Sequence, residues 1–226
     1  MSIYSFIDSL LGIDENEVVG KNGERLTANK LKWISFMGRE GRILKNVYIP
    51  KKDGDTTEID LLFITEKGIF VIESKNYSGY IFGDGKTAKW TTTLFAGRNI
   101  RGQKQVEKHQ FYNPIWQNYN HIKYLKEFLG TDVQMISLIV FSERCELKSI
   151  TYQAKDVYVC KRDKLTKIIK DLWNKYPDTL KAEDIDSIYD KLSSLTNMDS
   201  AVKTKHVEYI KKDLIITRFA LNAAGN

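Results

Sequence analysis

The order of apolar and polar positions predicts alternating helices and strands. Apolar residues recur at helical spacing in 3–11, 24–37, 114–129, 162–173, 182–195 and 199–214. Runs typical of strands occupy 42–50, 57–65, 68–76, 133–142 and 156–160, with two short strands around a Gly-Asp-Gly turn over 80–92. The main elements follow the order α-β-β-β-α-β. We therefore expect one α/β domain with a helical C-terminal extension.

The helix over 114–129 has clear boundaries. Pro114 stands in its first turn and Gly130 stops it. Its apolar stripe is predicted to contain Ile115, Tyr119, Ile122, Leu125 and Leu129. The segment 17–23, "EVVGKNG", is interpreted as a connector that leads into the helix over 24–37.

Length and composition indicate a folded globular protein. The 226 residues are 42% hydrophobic and 12% aromatic, which suits a substantial core. We divide the chain into an N-terminal amphipathic helix at 1–20, a main domain at 21–162 and a helical extension at 163–226 packed on that domain. The last two predicted helices carry a set of apolar residues, namely Tyr189, Leu192, Val207, Ile210 and Leu214. These residues either pack back onto the domain or form a face for a partner protein or a second copy of the chain.

Charge and cysteine content narrow the class of protein only slightly. The formal charge of +6 is compatible with nucleic acid as a partner, although many ordinary proteins are as basic. Cys145 and Cys160 form no CxxC motif, which excludes a disulfide framework and argues against structural zinc. Asp8 interrupts the first apolar stretch, so it is a poor signal peptide, and no run approaches the roughly 18 apolar residues of a membrane span. We expect a cytoplasmic protein.

Three charged residues interrupt the apolar hairpin over 57–76. Glu73 and Lys75 project to the same face of their strand, because side chains alternate along a strand. With a two-residue turn at Glu66-Lys67, Asp60 lies directly opposite Glu73, with Cβ atoms roughly 5 Å apart. A looser turn with Gly68 in a left-handed conformation would shift this register by one residue.

Two explanations fit these charges. Two neighbouring carboxylates in an apolar hairpin repel each other unless one is protonated or a cation lies between them, and oxygen ligands suit Mg²⁺. Lys75 would then orient or help deprotonate a water molecule. Alternatively, the three residues form a salt-bridged cluster on the solvent face of a sheet. The runs Leu61 to Ile64 and Ile69 to Ile72 are apolar on both faces, which favours a site at one end of buried strands.

The motif Asp60…Glu73-Ser74-Lys75 resembles the core signature of the PD-(D/E)XK nuclease superfamily. The run "TEIDLLFITEKGIFVIESKNYSGYIFGDGKTAKW", followed by "NPIWQNYNH", resembles the nuclease-related domain, NERD. The resemblance extends from about "NGERLTANKL" to "LIVFS", more than half of the chain. It implies a restriction-endonuclease-like core, in which helices flank a mixed central sheet.

The resemblance also implies roles for particular residues. Asp60 and Glu73 would hold Mg²⁺, or Mn²⁺ as an alternative, with help from the backbone carbonyl of Ser74. Lys75 would handle the attacking water. Glu24 matches the upstream helical glutamate of the superfamily, and Gln117 matches the glutamine on the helix after the hairpin. Each of these two residues has a simpler explanation. Glu24 could be favoured in the first turn of its helix by the helix dipole, and Gln117 could form a hydrogen bond with a neighbouring loop.

Two further residues near the motif are assigned to the surroundings of the site. His121 lies one helical turn after Gln117, where related nucleases have a tyrosine, so we expect no direct contact of His121 with the site. Glu58 is expected on the same face of its strand as Asp60, but it lies nearer the start of the strand. We interpret it as the solvated partner of a lysine.

A basic segment before the helix over 114–129 offers a way to hold substrate. Arg101, Lys104 and Lys108 fall at spacings of three and four, one helical stripe, with Arg98 just before them. The alternative for each is a solvated charged face. Three aromatic residues lie nearby in the sequence, Trp90, Phe95 and Tyr112. We expect them either to belong to the core or to stack on bases.

These observations together predict a Mg²⁺-dependent nuclease that acts on nucleic acid, DNA rather than RNA. Two alternatives stay open. The first is a non-catalytic nucleic-acid-binding module that keeps the nuclease fold, against which the complete Asp/Glu/Lys set argues. The second is a regulatory or assembly protein that docks partners through its last two helices.

Overall fold

The computed structural model describes residues 15–99 and 102–196. The helices in these ranges are α1 (Glu15–Phe36), α2 (Pro114–Leu129), α3 (Leu165–Lys175) and α4 (Ala182–Ser193). The strands are β1 (Gly41–Pro50), β2 (Thr56–Thr65), β3 (Gly68–Lys75), β4 (Gly79–Asp84), β5 (Lys89–Arg98), β6 (Lys104–Tyr112), β7 (Met135–Phe141), β8 (Cys145–Thr151) and β9 (Val157–Lys161). The helices predicted over 3–11 and 199–214 lie outside the described residues.

Five strands form the central sheet of the described chain, in the order β1-β2-β3-β7-β9. The first three are antiparallel neighbours, whereas β3, β7 and β9 run parallel to one another. Every residue of β7 is buried, as expected for a strand covered on both faces. The predicted α/β fold, with helices flanking a mixed central sheet, is confirmed.

Each face of this sheet has its own apolar core. Side chains of α1 and α3 cover one face, where Leu31 and Ile169 pack against Phe63 and Phe70. Side chains of α2 and α4 cover the other face, where Leu125 and Leu192 pack against Leu62. The hairpin strands β2 and β3 therefore lie between two layers of helices. A charged side chain on either strand is expensive to bury and needs a partner there.

A second sheet packs beside α2. The sequence predicted its two strands around the Gly-Asp-Gly turn, β4 and β5, which pair as a hairpin, but it did not predict β6 or β8. The order of this sheet is β6-β5-β4-β8, with β4 and β8 parallel. Trp90 of β5 is buried and stacks on Phe141 of β7, with ring centroids 6.1 Å apart and an interplanar angle of 5°. Gly83 is required in β4 because a Cβ there would lie 2.2 Å from the Trp90 ring. This contact fixes the second sheet against the carboxyl end of β7.

Helix α1 begins earlier than the sequence predicted. The segment "EVVGKNG" belongs to the helix, so its interpretation as a connector is wrong. Gly23 explains the difference, because a Cβ at this position would lie 2.7 Å from Cβ of Asn76. The glycine lowers helix propensity but allows the helix to approach the residue that follows β3.

Helix α2 has the predicted ends but a different buried face. Asn113 caps it by accepting a hydrogen bond from the Ile115 N–H, and Gly130 ends it with φ 65°. Tyr119, predicted to lie in the apolar stripe, is 67% exposed. Asn118 and His121 are buried instead. Asn118 Nδ2 donates to Val71 O and to Ser137 Oγ, both at 2.8 Å, which satisfies the two donors of its buried amide group.

The C-terminal helices that the structure describes contribute to the central core. Leu192 of α4 is fully buried and Tyr189 packs against the same cluster. Of the predicted partner-face residues, these two pack back onto the domain, and Val207, Ile210 and Leu214 lie outside the described residues. Among the helices described, none is both long enough and apolar enough to span a bilayer.

Candidate functional site

The β2–β3 hairpin brings Asp60 and Glu73 together. The two strands pair from Thr65↔Gly68 to Leu61↔Ile72, the register of a two-residue turn at Glu66-Lys67. Asp60 and Glu73 are the next positions along this register. Asp60 Oδ2 accepts a hydrogen bond from the Ser74 backbone N–H at 2.8 Å. This bond fixes one oxygen of Asp60 beside the backbone of β3.

Glu73, Lys75 and Gln117 form a connected chain of polar contacts. Glu73 is only 2% exposed, and its Oε1 lies 2.7 Å from Lys75 Nζ. Lys75 Nζ also donates to Gln117 Oε1 at 3.0 Å. The three residues come from β3 and from α2, which covers this face of the sheet. The structure thus brings Gln117 to the hairpin, as the sequence predicted.

His121 contacts Glu73, and the expectation of no direct contact with the site is wrong. His121 Nε2 lies 3.3 Å from Glu73 Oε2, and His121 Nδ1 lies 2.7 Å from Thr57 Oγ1. In the described chain, neither His121 Nε2 nor Glu73 Oε2 has a hydrogen-bond partner of good geometry. Both are therefore buried polar atoms, close together, that the protein leaves without a well-formed bond.

The electrostatics of the pair are asymmetric. Burial raises the pKa of Asp60 well above its usual range, and the charge of Glu73 raises it further. Burial also acts to raise the pKa of Glu73, but Lys75 and His121 outweigh it and lower that pKa. Burial acts to lower the pKa of Lys75, but the charges of Glu73 and Asp60 outweigh it and raise the pKa. The site holds a charged Glu73–Lys75 pair beside a carboxyl that resists ionisation.

Glu24 lies near Asp60 and Glu73 and is held by a neighbouring side chain of β1. Its Oε2 accepts from Asn46 Nδ2 at 3.1 Å, and the same nitrogen donates to Glu58 Oε1 at 3.0 Å. Burial raises the pKa of Glu24, and the charges of Glu58 and Glu73 add to this effect. Glu58 also accepts from Tyr48 at 2.9 Å, so its interpretation as the partner of a lysine is wrong.

The donor set fits a divalent cation that keeps part of its water shell. The described residues contain no group of three or more His, Cys, Asp or Glu side chains arranged to hold a metal ion. Mg²⁺ is commonly held by one or two carboxylates, with waters and substrate phosphates as the other ligands. Asp60 and Glu73 supply two carboxylates, and Glu73 Oε2 is a buried oxygen without a hydrogen bond. A cation at this place would also relieve the repulsion that raises the pKa of Asp60.

The predicted basic stripe lies on a hairpin and not on a helix. Arg98 ends β5 and Lys104 begins β6, and the two positions pair across the hairpin. Lys108 lies on β6, exposed, in register with Thr93. Arg101 is outside the described residues. The helical spacing was misleading because β5, rich in threonine and aromatic residues, pairs with β6 along most of its length.

The aromatic residues of this region separate into core and surface. Trp90 is buried, whereas Phe95 and Tyr112 are exposed. Tyr112 makes an edge-to-face contact with Trp116, with ring centroids 6.4 Å apart. Only Phe95 and Tyr112 of the three predicted aromatics are accessible to a ligand.

Sequence reasoning missed His121, Thr57 and Asn46. The signal for His121 was present, because it lies four residues after Gln117 and therefore on the same helix face. Thr57 lies near the start of β2, and strand alternation would place it on the face opposite Asp60, so the sequence did not indicate its contact with His121. Asn46 has φ 50°, a conformation that asparagine tolerates better than most residues, but nothing in the sequence indicated it.

The fold and this constellation define an α/β nuclease-like core of the PD-(D/E)XK superfamily. The model of the nuclease-related domain, NERD, matches residues 19–142, and the chain belongs to that family. An uncharacterized protein of Bacillus anthracis, pXO1-01, is 33% identical over 192 residues, which are 84% of this chain and 83% of the relative. No solved structure matches the chain significantly.

Proposed function

We propose that this protein is a divalent-metal-dependent nuclease that hydrolyses phosphodiester bonds in nucleic acid, DNA in preference to RNA. One observation carries the proposal. Asp60 and Glu73 adjoin in the register of a hairpin that is otherwise buried and apolar, with Lys75 Nζ 2.7 Å from Glu73 Oε1. Membership of a nuclease-related family supports the same reaction class.

Asp60, Glu73 and the backbone carbonyl of Ser74 would hold the cation, Mg²⁺ or Mn²⁺. When bound, the cation would supply Lewis acidity toward the phosphoryl group and lower the pKa of water. The hydrogen bond from the Ser74 N–H holds one Asp60 oxygen in place. His121 lies against the second oxygen of Glu73, which limits the rotation of that carboxylate.

Lys75 is the group that acts on water and phosphate. Its raised pKa keeps the ammonium charged at neutral pH, because Glu73 and Asp60 outweigh the effect of burial. Glu73 and Gln117 engage two of its three N–H donors, so the third would be available to the attacking water or to a phosphoryl oxygen on which charge grows. Gln117 accepts one hydrogen bond from Nζ and so restricts the direction of the remaining donors.

Glu24 and the basic hairpin would act around this centre. Glu24 is held by Asn46, and burial raises its pKa, so it would lie beside the centre as a carboxyl that loses its proton less readily than an exposed glutamate. Arg98, Arg101, Lys104 and Lys108 would contact the phosphate backbone without reading bases. Because β5 and β6 pair, Arg98 and Lys108 lie on a hairpin rather than on a helix face.

A cytoplasmic location agrees with the state of the two cysteines. Cys145 and Cys160 are both buried and unpaired. Burial raises the pKa of Cys145 to about 11 and that of Cys160 to about 12, so both thiols are unreactive at neutral pH. We also propose that a protein partner or a second copy of the chain binds through the segment after Thr196.

The experiment is a cleavage assay on 5′-fluorescein-labelled single-stranded DNA, duplex DNA and RNA, with Mg²⁺ or with EDTA. We expect Mg²⁺-dependent cleavage of DNA by the wild type and a loss of about a thousandfold or more in Lys75→Met. Lys170→Met, an exposed lysine of α3, is the matched control and should retain full activity.

Binding without cleavage by the wild type, under all these conditions, would contradict the proposal and indicate a non-catalytic module. Cleavage by Lys75→Met at the wild-type rate would contradict the role of Lys75. Equal cleavage with EDTA would contradict the metal requirement.

A further inference from the structure

Beyond Lys75, the carboxyl ends of the parallel strands β3, β7 and β9 meet at one edge of the central sheet. Ligands of open α/β sheets commonly bind outside the carboxyl ends of the strands. Arg144 follows β7 and Arg162 follows β9 at this edge. We propose that Arg144 and Arg162 form a second phosphate-binding site, which holds the nucleic-acid phosphate next to the scissile one. The inference rests on the proposed function and names where that substrate is held.

Arg162 is an unusual arginine because it is only 3% exposed. Its Nε donates to Thr27 Oγ1 at 3.1 Å, and its Nη1 lies 2.6 Å from Glu143 Oε2. Nη2 is buried and has no hydrogen-bond partner among the residues described. A buried guanidinium with an unused donor is costly, and such exceptions commonly mark a place where an ion or ligand binds.

Glu143 explains how a phosphate would reach this guanidinium. Its side chain is 50% exposed, whereas the Arg162 side chain below it is almost completely buried. Carboxylates and phosphates bind a guanidinium through similar charge-assisted hydrogen bonds. Glu143 therefore occupies the place of a phosphate at the surface, and its exposed side chain is free to swing away when nucleic acid binds.

Arg144 supplies the second cation of this site. Its Nη2 donates to Asn76 O at 3.0 Å and to Asn76 Oδ1 at 3.2 Å. Its Nε donates to Ser142 Oγ at 3.3 Å. These bonds fix the guanidinium beside the residue that follows Lys75. Because Arg144 is exposed, the rest of the guanidinium is accessible from solvent.

Both arginines are connected to the catalytic strand. Thr27 Oγ1 lies 3.1 Å from Ser74 Oγ, and Ser74 stands between Glu73 and Lys75 in the sequence. Arg162 therefore reaches β3 through Thr27, on the face of the strand opposite Glu73, while Arg144 reaches it through Asn76. A phosphate held by the pair lies at the same sheet edge as Lys75, as expected for a neighbouring nucleotide of the same strand.

The test measures DNA binding in EDTA, where the proposed cleavage does not occur. Fluorescence anisotropy with labelled single-stranded and duplex DNA is recorded at several NaCl concentrations. The variants are Arg144→Gln and Glu143→Gln, because both leave the bond between Arg162 and Thr27 in place. The control is Arg42→Gln. Arg42 is an exposed arginine of β1, at the opposite edge of the central sheet, and it pairs with Asp186 of α4.

We expect Arg144→Gln to weaken binding and to reduce the slope of log K against log salt concentration by about 1, the loss of one phosphate contact. Glu143→Gln should bind about two- to fivefold more tightly, because the half-exposed Glu143 carboxylate no longer competes with the phosphate for the Arg162 guanidinium. Arg42→Gln should match the wild type in both affinity and slope.

Wild-type slopes in both Arg144→Gln and Glu143→Gln, with unchanged affinity, would overturn this site. If the wild type also binds and cleaves DNA, only this inference fails and the proposed function stands. If the wild type binds no nucleic acid at any salt concentration, both fail together.

Discussion

Glu73 Oε2 and His121 Nε2 lie 3.3 Å apart in the interior of the protein, and Thr57 Oγ1 lies 2.7 Å from the other nitrogen of the same imidazole. A carboxylate only accepts hydrogen bonds, so a neutral imidazole facing it carries its proton on Nε2. Nδ1 is then left to accept from the Thr57 hydroxyl. Glu73 thus favours the tautomer of His121 in which Thr57 donates to Nδ1, and the imidazole lies against the second oxygen of the Glu73 carboxylate.

His121→Ala is expected to lower the activity at subsaturating Mg²⁺ by about 10- to 100-fold, the usual effect of removing a group that orients a metal ligand. Part of this loss should be recovered at higher Mg²⁺, because the carboxylate itself is still present. The measurement is the cleavage rate as a function of Mg²⁺ concentration. His109→Ala, an exposed histidine of β6, is the control. An unchanged Mg²⁺ dependence in His121→Ala would show that the contact has no role in the site.

Asp60→Asn is expected to stabilise the metal-free protein at neutral pH. The pKa of Asp60 is raised well above its unfolded value of about 3.9, chiefly by burial, so the folded state favours the protonated carboxyl. The stability that this group contributes is complete below about pH 3.9 and is lost as the pH rises through the folded pKa. The asparagine keeps an acceptor for the Ser74 N–H and carries no charge.

Thermal unfolding in EDTA at pH 4 and pH 8 measures this difference. We expect a higher Tm for Asp60→Asn than for the wild type at pH 8, about 2–4 °C for each kcal/mol, and a smaller difference at pH 4. In Mg²⁺ the wild type should regain stability and the variant should not. A lower Tm for the variant at pH 8 in EDTA would contradict the electrostatic account of Asp60.

Gln117→Leu is expected to reduce kcat by about tenfold, because Lys75 Nζ loses the acceptor that directs it. Stability should change little, since Gln117 is only partly buried. Steady-state kinetics on labelled DNA and a thermal scan separate the two effects. Asn120→Leu places the same side chain on an exposed position of α2 and serves as the control. Equal kinetics in both variants would assign Gln117 to the simpler role of a surface hydrogen bond.

Gly23→Ala and Gly20→Ala should have opposite effects although both lie in α1. At Gly23 an added Cβ would lie 2.7 Å from Cβ of Asn76, so the helix or the segment after Lys75 has to move. At Gly20 nothing described lies within 4 Å, and alanine should stabilise the helix by about 0.5–1 kcal/mol. Denaturant unfolding and the cleavage assay together measure both effects. A neutral Gly23→Ala would contradict the close packing of α1 on Asn76.

The β2–β3 hairpin of the central sheet was predictable because the interactions that form it are local in the chain. The apolar runs around Glu66-Lys67 fixed two strands, and a two-residue turn fixed their register, which the pairing of Thr65 with Gly68 confirms. The turn type decides whether Asp60 faces Glu73. Sequence left both turns open, and the structure has the tighter one.

Of the second sheet, only the hairpin of β4 and β5 was predictable from local pattern. Strand β8, "CELKSIT", is largely polar and pairs in parallel with β4, more than 60 residues earlier in the chain. The basic spacing of Lys104 and Lys108 mimicked a helix, but pairing with β5 decided the conformation. Long-range pairing of this kind overrides local spacing because it buries Trp90 and Phe111 on one face.

The buried face of α2 shows why the site was only partly predicted. An apolar stripe placed Tyr119 inward, whereas the structure buries the polar Asn118 and His121. Hydrogen bonds from Asn118 to the central sheet and the contact of His121 with Thr57 compensate part of the cost of their burial, since Asn118 Oδ1 and His121 Nε2 have no partner among the residues described. Buried polar residues with partners on distant strands leave no periodic signal in a sequence. Functional residues at such positions are therefore identified from the structure and not from the sequence.

The most direct measurement is a calorimetric titration of Mn²⁺ into the metal-free wild type and into the double variant Asp60→Asn/Glu73→Gln. Circular dichroism of both proteins checks that the fold is retained. We expect saturable uptake of Mn²⁺ by the wild type and none by the double variant, because the two carboxylates are the side-chain ligands. Equal uptake by both proteins, or no uptake by the wild type, would contradict the assignment of this pair as the metal centre of a nuclease.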